Sequence, residues 1–480
     1  MDTKALRQKI LDLAIRGKLV PQNPNDEPAE VLLERIREQK QQMFKEGKLK
    51  KKDIKNDTII FKGEDNLHYE KFQDGTVKCI EDEIPFEVPE GWAWCKLNDI
   101  YNFIDYRGAT PTKITNGIPL VTAKNVKSGY IDYTIDDYIS EEEFKERQQR
   151  GISKKGDILF TTEAPLGNAA LADMEKFSAG QRLITFQQYG SKDELINYVM
   201  LMFILSDFFQ QQLYVNKTGS TVAGIKAAIL KTLWIPVPPY NEQLRISNTL
   251  KSAINLIDSI SKNKEILSTS ISNTKSKILD LAIRGKIVPQ DPNDEPASVL
   301  LERIRAEKEE LIKQGKIKRD KKESVIFKGD DNSYYLRTGG VEESLEDWRF
   351  DDLPETWKIC CLWELCDYGD CINVNTEDIA EDAWILDLED IEKDTGTVLK
   401  KVTKAQRNSV STKHKFHSGQ VLYSKLRPYL NKVVLSDADG YCTSEILPLE
   451  FKNCVLPEYA RYYLMSVSYT HLTLPTNSRV

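Results

Sequence analysis

No stretch of the chain is long and apolar enough to cross a bilayer, which takes roughly 18 residues nearly free of charge. The N-terminus, MDTKALRQKI, lacks the apolar core of a secretory leader. These absences predict a cytoplasmic protein. Histidine is scarce, with 4 in 480 residues, and none of the 8 cysteines forms a C-x-x-C pair. Free thiols are therefore expected. Cys366, Cys371, His414 and His417 have zinc-ligand chemistry, but their spacing is not that of a standard finger. An excess of positive charge is missing too, since the net charge is −7. Taken alone, that disfavours a nucleic-acid partner, although binding needs local positive faces rather than a positive total. A large acidic helical interface would give the same sum.

Motifs for chemistry are also absent. Gly151 and Gly156 have the glycine spacing of a phosphate-binding loop, but Asp157 and Ile158 stand where that loop needs Lys and Ser or Thr. No glycine-rich cofactor loop follows a predicted strand. Val237–Tyr240 reads VPPY, close to the N-P-P-Y loop of adenine methyltransferases. That loop needs a polar acceptor at its first position, and valine has none.

What the chain does have is a repeat. Lys9–Arg37, KILDLAIRGKLVPQNPNDEPAEVLLERIR, recurs at Lys277–Arg305 with changes only at Leu19/Ile287, Asn23/Asp291 and Glu30/Ser298. KEGKLK at Lys45 matches KQGKIK at Lys313, and FKGEDN at Phe61 matches FKGDDN at Phe327. The offset drops from 268 to 266 along the way. A period this long marks duplication of a large unit rather than a solenoid. A fainter repeat follows. Pro89, Trp92 and Leu97 share their spacing with Pro354, Trp357 and Leu362, and GDILFTTEAPLGN (from Gly156) aligns with GQVLYSKLRPYLN (from Gly419). Apolar positions agree while polar ones differ, as expected of one scaffold carrying two surfaces. The alternative is simple divergence after duplication.

Ile246, Leu250, Ala253, Ile257, Ile260, Lys264, Leu267, Ile271, Thr274, Ile278 and Leu281 step by threes and fours, which predicts a coiled-coil seam. Pro236, Pro238 and Pro239 precede it and Gly285 closes it, giving a helix of about 36 residues and about 54 Å. Leu6, Ile10 and Leu13 occupy the repeat positions of Thr274, Ile278 and Leu281, so the N-terminus carries only the last turns of such a helix. Asp26 and Asp294 are expected N-caps, with Pro28 and Pro296 in the first turn of a short helix whose stripe is Leu32, Leu33 and Ile36. DILFTT and QVLYSKL read as strands. LINYVMLMFILSDFFQQQLY reads as one buried helix. The expected fold class is α+β, with two modules separated by long helical spacer regions.

The repeated block, GNAALAD from Gly167, KTGSTVAGI from Lys217 and IPVPPYNEQLRI from Ile235 resemble the specificity subunits of type I restriction–modification systems. The resemblance runs to about Ser466. It implies two target-recognition domains, each reading half of a bipartite DNA site, and no catalysis in this chain. It also implies modification subunits, two in number, that methylate adenine, and restriction subunits that cleave and translocate. The partners would use S-adenosylmethionine, ATP and Mg; this chain would hold no cofactor. The expected domains are 1–83 (helical region and linker), 84–240 (first recognition domain), 241–345 (central helix and linker), 346–466 (second recognition domain, incomplete) and 467–480 (unrelated tail). The second module lacks counterparts of KTGSTVAGI and IPVPPYNEQ and ends in SYTHLTLPTNSRV, which reads as a truncation.

DNA reading needs cations for phosphates and forked or amide donors for base edges. The candidates are Arg107, Thr110, Lys113, Lys124, Asn125, Thr162, Lys217, Ser220 and Lys226 in the first module. In the second they are Lys425, Arg427, Asn431 and Lys432, followed by Arg407 and Lys413. Two other readings stay open: a half-functional subunit that dimerises through its exposed seam, and a helical scaffold that binds protein rather than DNA.

Overall fold

The computed structural model describes residues 2–54, 57–107, 110–134, 137–189, 194–219, 223–319, 324–345, 353–367, 371–407, 411–452 and 455–466. The expected tail at 467–480 lies outside them. The chain divides into two compact units, Met1–Glu265 and Ile266–Val480. No helix among the described residues is long and apolar enough to cross a membrane.

Unit 1 opens with α1 (Thr3–Ile15), whose first amides, at Lys4 and Ala5, are capped by the Asp2 carboxylate. The helix stops at Gly17, where φ is +65° and the Lys18 amide reaches back to the Leu13 carbonyl. Only glycine fits there, because a Cβ would lie 2.2 Å from Cγ of Pro89. The next helix, α2 (Ala29–Lys45), has Pro28, not Asp26, at its N-cap. Its first amide is satisfied from outside the helix, by the Gly91 carbonyl at 2.8 Å. Asp26 pairs instead with Arg245 at 2.5 Å. The expected N-cap role fails for Asp294 as well, since Pro296 is the N-cap of the helix Ala297–Lys313; both helices start three residues after the aspartate, too far for its carboxylate to cap them.

Strands β1 (Ile59–Lys62), β2 (His68–Lys71) and β3 (Val77–Cys79) form a separate small sheet. The module proper contains β4 (Ala93–Lys96), β5 (Tyr101–Asp105), β6 (Ile118–Val121), β7 (Tyr138–Ile139), β8 (Ile158–Thr161), β9 (Ala169–Leu171), β10 (Ser178–Ala179), β11 (Leu183–Gln188) and β12 (Trp234–Val237). They pair in the orders β5-β11-β8-β9, β10-β6-β7 and β12-β4. The run read as one buried helix is two, α3 (Asn197–Ile204) and α4 (Asp207–Val215). Ser206 breaks it, its hydroxyl accepting from the Phe209 amide.

The long helix α5 (Tyr240–Ile283) has 44 residues rather than about 36. Ile246, Leu250, Ile254 and Ile257 are buried in unit 1. The first half of the seam thus packs into the module's own core, with β12, α3 and α4. Its later positions Leu267, Ile271 and Ile278 are exposed.

Unit 2 repeats the plan with α6 (Ala297–Lys313) and the small sheet β13 (Ser324–Lys328), β14 (Tyr334–Thr338) and β15 (Val341–Ser344). Its module has β16 (Cys366–Asp367), β17 (Asn373–Val374), β18 (Trp384–Leu386), β19 (Val402–Thr403), β20 (Lys413–Phe416), β21 (Val421–Ser424), β22 (Val433–Leu435), β23 (Gly440–Thr443) and β24 (Ile446–Phe451), then α7 (Pro457–Ser466). The order β16-β24-β21-β22 reproduces β5-β11-β8-β9 strand for strand. β18 pairs parallel with β23 and antiparallel with β19, as β6 does with β10 and β7. The aligned turns match as well: Gly156 and Gly419 both have φ +89°, and Ala164 and Arg427 have +46° and +52°. The chain is therefore α+β. The two modules share the four-stranded order and the β6/β18 pairings, while β17 and β20 widen the second sheet of unit 2 and, among the described residues, β12-β4 occurs in unit 1 only.

The two copies differ in cover. Leu11, Ala14, Ile15 and Leu32 are at most 2% exposed, whereas the identical Leu279, Ala282, Ile283 and Leu300 stay half-exposed.

Candidate nucleic-acid interface

In unit 1, loops from several strands converge on one edge of the sheet. Arg107 leaves β5 and forks onto Asp105 at 2.7–3.1 Å, and its Nη1 reaches the Ile225 carbonyl at 3.4 Å. Arg150 Nη1 donates to the Arg107 carbonyl at 2.9 Å. The Thr110 hydroxyl donates to Oε1 of Gln181 at 2.6 Å. Beside them Arg182 pairs with Glu163 at 3.1 Å, and Glu163 forms a β-bridge with Gly224. The loop 122–126 abuts the same turn, since the Gly180 amide donates to the Val121 carbonyl and a Cβ at Gly180 would lie 3.2 Å from Cα of Thr122. Segments far apart in sequence thus share one surface.

Cations dominate that surface. Arg150, Arg182, Lys124 and Lys226 are exposed, and Lys124 and Lys226 have no ion-pair partner among the described residues. Two carboxylates, Asp105 and Glu163, oppose them. Burial pushes Asp105 up, but the Arg107 hydrogen bonds and charge outweigh it and hold the carboxyl below its ordinary value; Asp105 in turn raises Arg107. The pair stays ionised, with Arg107 fixed in orientation. A row of fixed and free cations beside forked donors suits phosphate and base-edge contact.

Not every expected residue lies here. Lys113 pairs with Asp137 at 2.7 Å, beside β6 and β7, and Lys217 sits 3.5 Å over the Tyr214 ring. Ser220 falls outside the described residues. Asn125 and Thr162, expected at the reading surface, are each only 2% exposed. Asn125 is a loop pin: its Oδ1 accepts from the Thr122 amide and hydroxyl at 2.9 and 2.7 Å, and its Nδ2 donates to the Asp132 carbonyl at 2.8 Å. The Thr162 hydroxyl donates to the Arg182 carbonyl at 3.2 Å. Asn125→Ala is expected to cost about 2 kcal/mol of stability, because it strands buried donors. Urea denaturation reads this directly, and a loss under about 0.5 kcal/mol would return Asn125 to the surface set. Arg150, Gln181 and Arg182 were missed, although GQR at Gly180–Arg182 stands directly before a strand, where a turn presents polar side chains.

The corresponding tip of unit 2 follows β21. Lys425 and Arg427 are exposed there, and the Lys425 amide bonds the Glu445 carbonyl just as that of Thr162 bonds Arg182. Asn431 and Lys432 are turned inward: Nδ2 of Asn431 donates to the Met465 carbonyl at 3.0 Å, and Nζ of Lys432 to the Leu388 carbonyl at 2.6 Å. Arg407 and Lys413 also belong to the interior. Arg407 is clamped by Asp387 and by Asp390 at 2.6 Å, and Lys413 is buried with its Nζ on Oγ of Ser411. The four residues with zinc-ligand chemistry are not gathered around one point either. His414 Nδ1 lies 3.0 Å from the Ile446 carbonyl and the Cys366 thiol donates to Leu362, and the described residues hold no group of three potential ligands placed around a metal.

Residues 89–268, from the approach to β4 through most of α5, match the type I restriction modification DNA specificity domain. The chain is also 30% identical over 423 residues to the EcoAI specificity subunit of Escherichia coli, covering 76% of this chain and 62% of that one. Residues 89–268 thus carry a type I specificity domain, and the chain is similar to type I specificity subunits over most of its length. A second relative, the EcoEI specificity subunit of Escherichia coli, is 31% identical over 370 residues, covering 66% and 57% of the two chains. The chain thus spans about three fifths of the length of these curated relatives. Among solved structures, the HsdS subunit from Thermoanaerobacter tengcongensis aligns over 59% of this chain and 57% of that one, at 16% identity and a TM-score of 0.29. Within the family match, VPPY is the junction between β12 and α5, with Val237 fully buried.

Proposed function

We propose that the chain is the non-catalytic DNA-reading subunit of a type I restriction–modification complex. The observation that carries this is the pair of modules with the same four-stranded sheet order and different polar tips. Thr162-Glu163-Ala164 in unit 1 stands where unit 2 has Lys425-Leu426-Arg427. One framework with two reading edges suits an asymmetric, bipartite double-stranded target. Modification subunits, two in number, would dock on the helical regions and methylate adenine, and restriction subunits would cut. S-adenosylmethionine, ATP and Mg would be bound by those partners, in the cytoplasm, with no cofactor held by this chain.

The test is a genome-wide adenine-methylation map of cells expressing the chain with its neighbouring modification subunit, against a stop-codon control. An asymmetric two-part motif that vanishes in the control is expected; no chain-dependent methylation counts against the reading. Target binding by the assembled complex should also weaken steeply with salt. With about six phosphate contacts the slope of log affinity against log salt is near −5. A flat dependence in an anisotropy titration would contradict phosphate contact through Arg150, Arg182, Lys124 and Lys226.

A further inference from the structure

One buried cation sits behind the reading edge of unit 1 and joins the segments that carry its exposed cations. The helix Glu141–Arg147 starts at Ser140, whose hydroxyl accepts from the Glu143 amide at 3.1 Å, and it buries Phe144 and Arg147. Arg147 is its last residue and is only 7% exposed. Its Nε donates to Oγ of Ser178 at 3.0 Å, and its Nη2 donates to the Ala179 carbonyl at 2.7 Å. The guanidinium carbon lies 4.9 Å from the centre of the Tyr106 ring. Ser178 and Tyr106 are buried as well. Burying a guanidinium is unfavourable and lowers its pKa, so its donors have to be used.

Each contact leads to the edge. Tyr106 directly precedes Arg107. Ala179 directly precedes Gly180, where the chain turns to present Gln181 and Arg182. Three residues after Arg147 comes Arg150, which holds the Arg107 carbonyl, and then Gly151, whose carbonyl accepts from the Tyr106 hydroxyl. The circuit closes on Arg147.

Unit 2 holds the same place with backbone. The helix Glu141–Arg147 lies in sequence between β7 and β8, and β20 lies in the same interval, between β19 and β21. β20 pairs antiparallel with β23 from Lys413 to Phe416, while β18 takes the other side of β23. β10, the counterpart of β23, has only two residues paired with β6 and ends its sheet among the described residues. There the Arg147 side chain takes the Ala179 carbonyl. One side chain in unit 1 thus stands in for a strand in unit 2.

Given the DNA-reading role proposed above, we propose that Arg147 is a positioning residue for the reading edge. It sets where Gln181 and Arg182 stand relative to Arg107 and Arg150, and so which base pairs unit 1 discriminates, without itself touching DNA. Forked and amide donors tell bases apart only when held to within about 0.5 Å, whereas attraction to phosphate tolerates displacement. Loosening the turn therefore lowers discrimination more than affinity.

The test maps adenine methylation in cells expressing the modification subunit with the wild-type chain, Arg147→Met, Arg147→Lys or Ser178→Ala, alongside the amount of complex recovered. Arg147→Met should broaden one half of the motif and leave the other sharp. Sites with one wrong base pair in that half should gain about tenfold in methylation relative to matched sites, the value of one good base contact. Arg147→Lys keeps the charge but loses the fork, and should broaden the same half. Ser178→Ala removes one acceptor and little volume, and should broaden it less. A merely structural role would lower methylation at all sites in proportion and leave the motif unchanged, which overturns the proposal, as does equal broadening of both halves. If Arg147→Met yields no complex, the other two variants decide, and an unchanged motif in both overturns it. A wild-type chain that gives no motif overturns the DNA-reading role, and the proposal with it.

Discussion

A chain carrying Arg182→Glu and Lys226→Glu is expected to bind its DNA target about 100-fold or more weakly than the wild type, while unfolding at nearly the same urea concentration. Both side chains are exposed on the edge where the loops of unit 1 meet. Among the described residues Arg182 makes one ion pair, with Glu163, whose own side chain is also substantially exposed. Its loss costs little, because exposed pairs contribute at most about 1 kcal/mol. DNA meets a different balance. Each reversal replaces a cation with an anion beside Glu163 or Gly224, so attraction to phosphate becomes repulsion. Losing two phosphate contacts should also make the salt slope shallower by about 2. Lys113→Glu is the control: it sits against Asp137 beside β6 and β7, and should weaken binding far less. Anisotropy titrations of the assembled complex at two salt concentrations measure all three. If the double variant binds like the wild type, the reading edge lies elsewhere on unit 1.

Arg107 is a poorer choice for this test, and the reason shows what the sequence could reveal. YRGATPTK displays an arginine among glycine and threonine, and the arginine does reach the right edge. Its guanidinium, however, also neutralises the half-buried Asp105, so removing it mixes folding with binding. Pairing of this kind is tertiary information. Arg407 and Lys413 look like surface cations in QRNSVSTKHK, but Asp387 and Asp390, on the turn after β18, claim them. Arg182 and Arg150 drew no notice in sequence although they project from turns. TAKNVKSG reads as a polar loop, yet its asparagine folds back on Thr122 and is buried. The architecture was more legible. Repetition marked both units, and the agreement of apolar positions between Gly156–Asn168 and Gly419–Asn431 anticipated β8 and β21 at matching places in matching sheets. Where local rules met long-range partners, the partners won. Asp26 had the composition of a cap, but its helix starts at Ala29 with Pro28 as the cap, and its carboxylate pairs with Arg245, 219 residues on.

Truncating Trp92 to alanine is expected to cost unit 1 about 3–5 kcal/mol, whereas Trp357→Ala should cost unit 2 only about 1 kcal/mol. The two residues follow nearly identical blocks and press on equivalent glycines, Gly17 and Gly285, so local sequence predicts equal effects. Their surroundings differ. Trp92 is buried, stacks on Phe203 with ring centroids 6.2 Å apart, and donates to the buried Glu242 carboxylate. Its loss opens a cavity and leaves Gln22 as the single side-chain donor to that carboxylate among the described residues, and burial already favours its protonated form. Trp357 is half-exposed and donates to no carboxylate among the described residues, so truncation removes surface that water already partly wets. Hydrogen exchange resolves the units: α1 and β4 should lose protection in Trp92→Ala, while residues 279–285 change little in Trp357→Ala. Equal losses would mean that the nearly identical blocks alone set the energetics. Unequal losses would locate the difference in residues 234–257, which complete the core of unit 1 and have no described counterpart in unit 2.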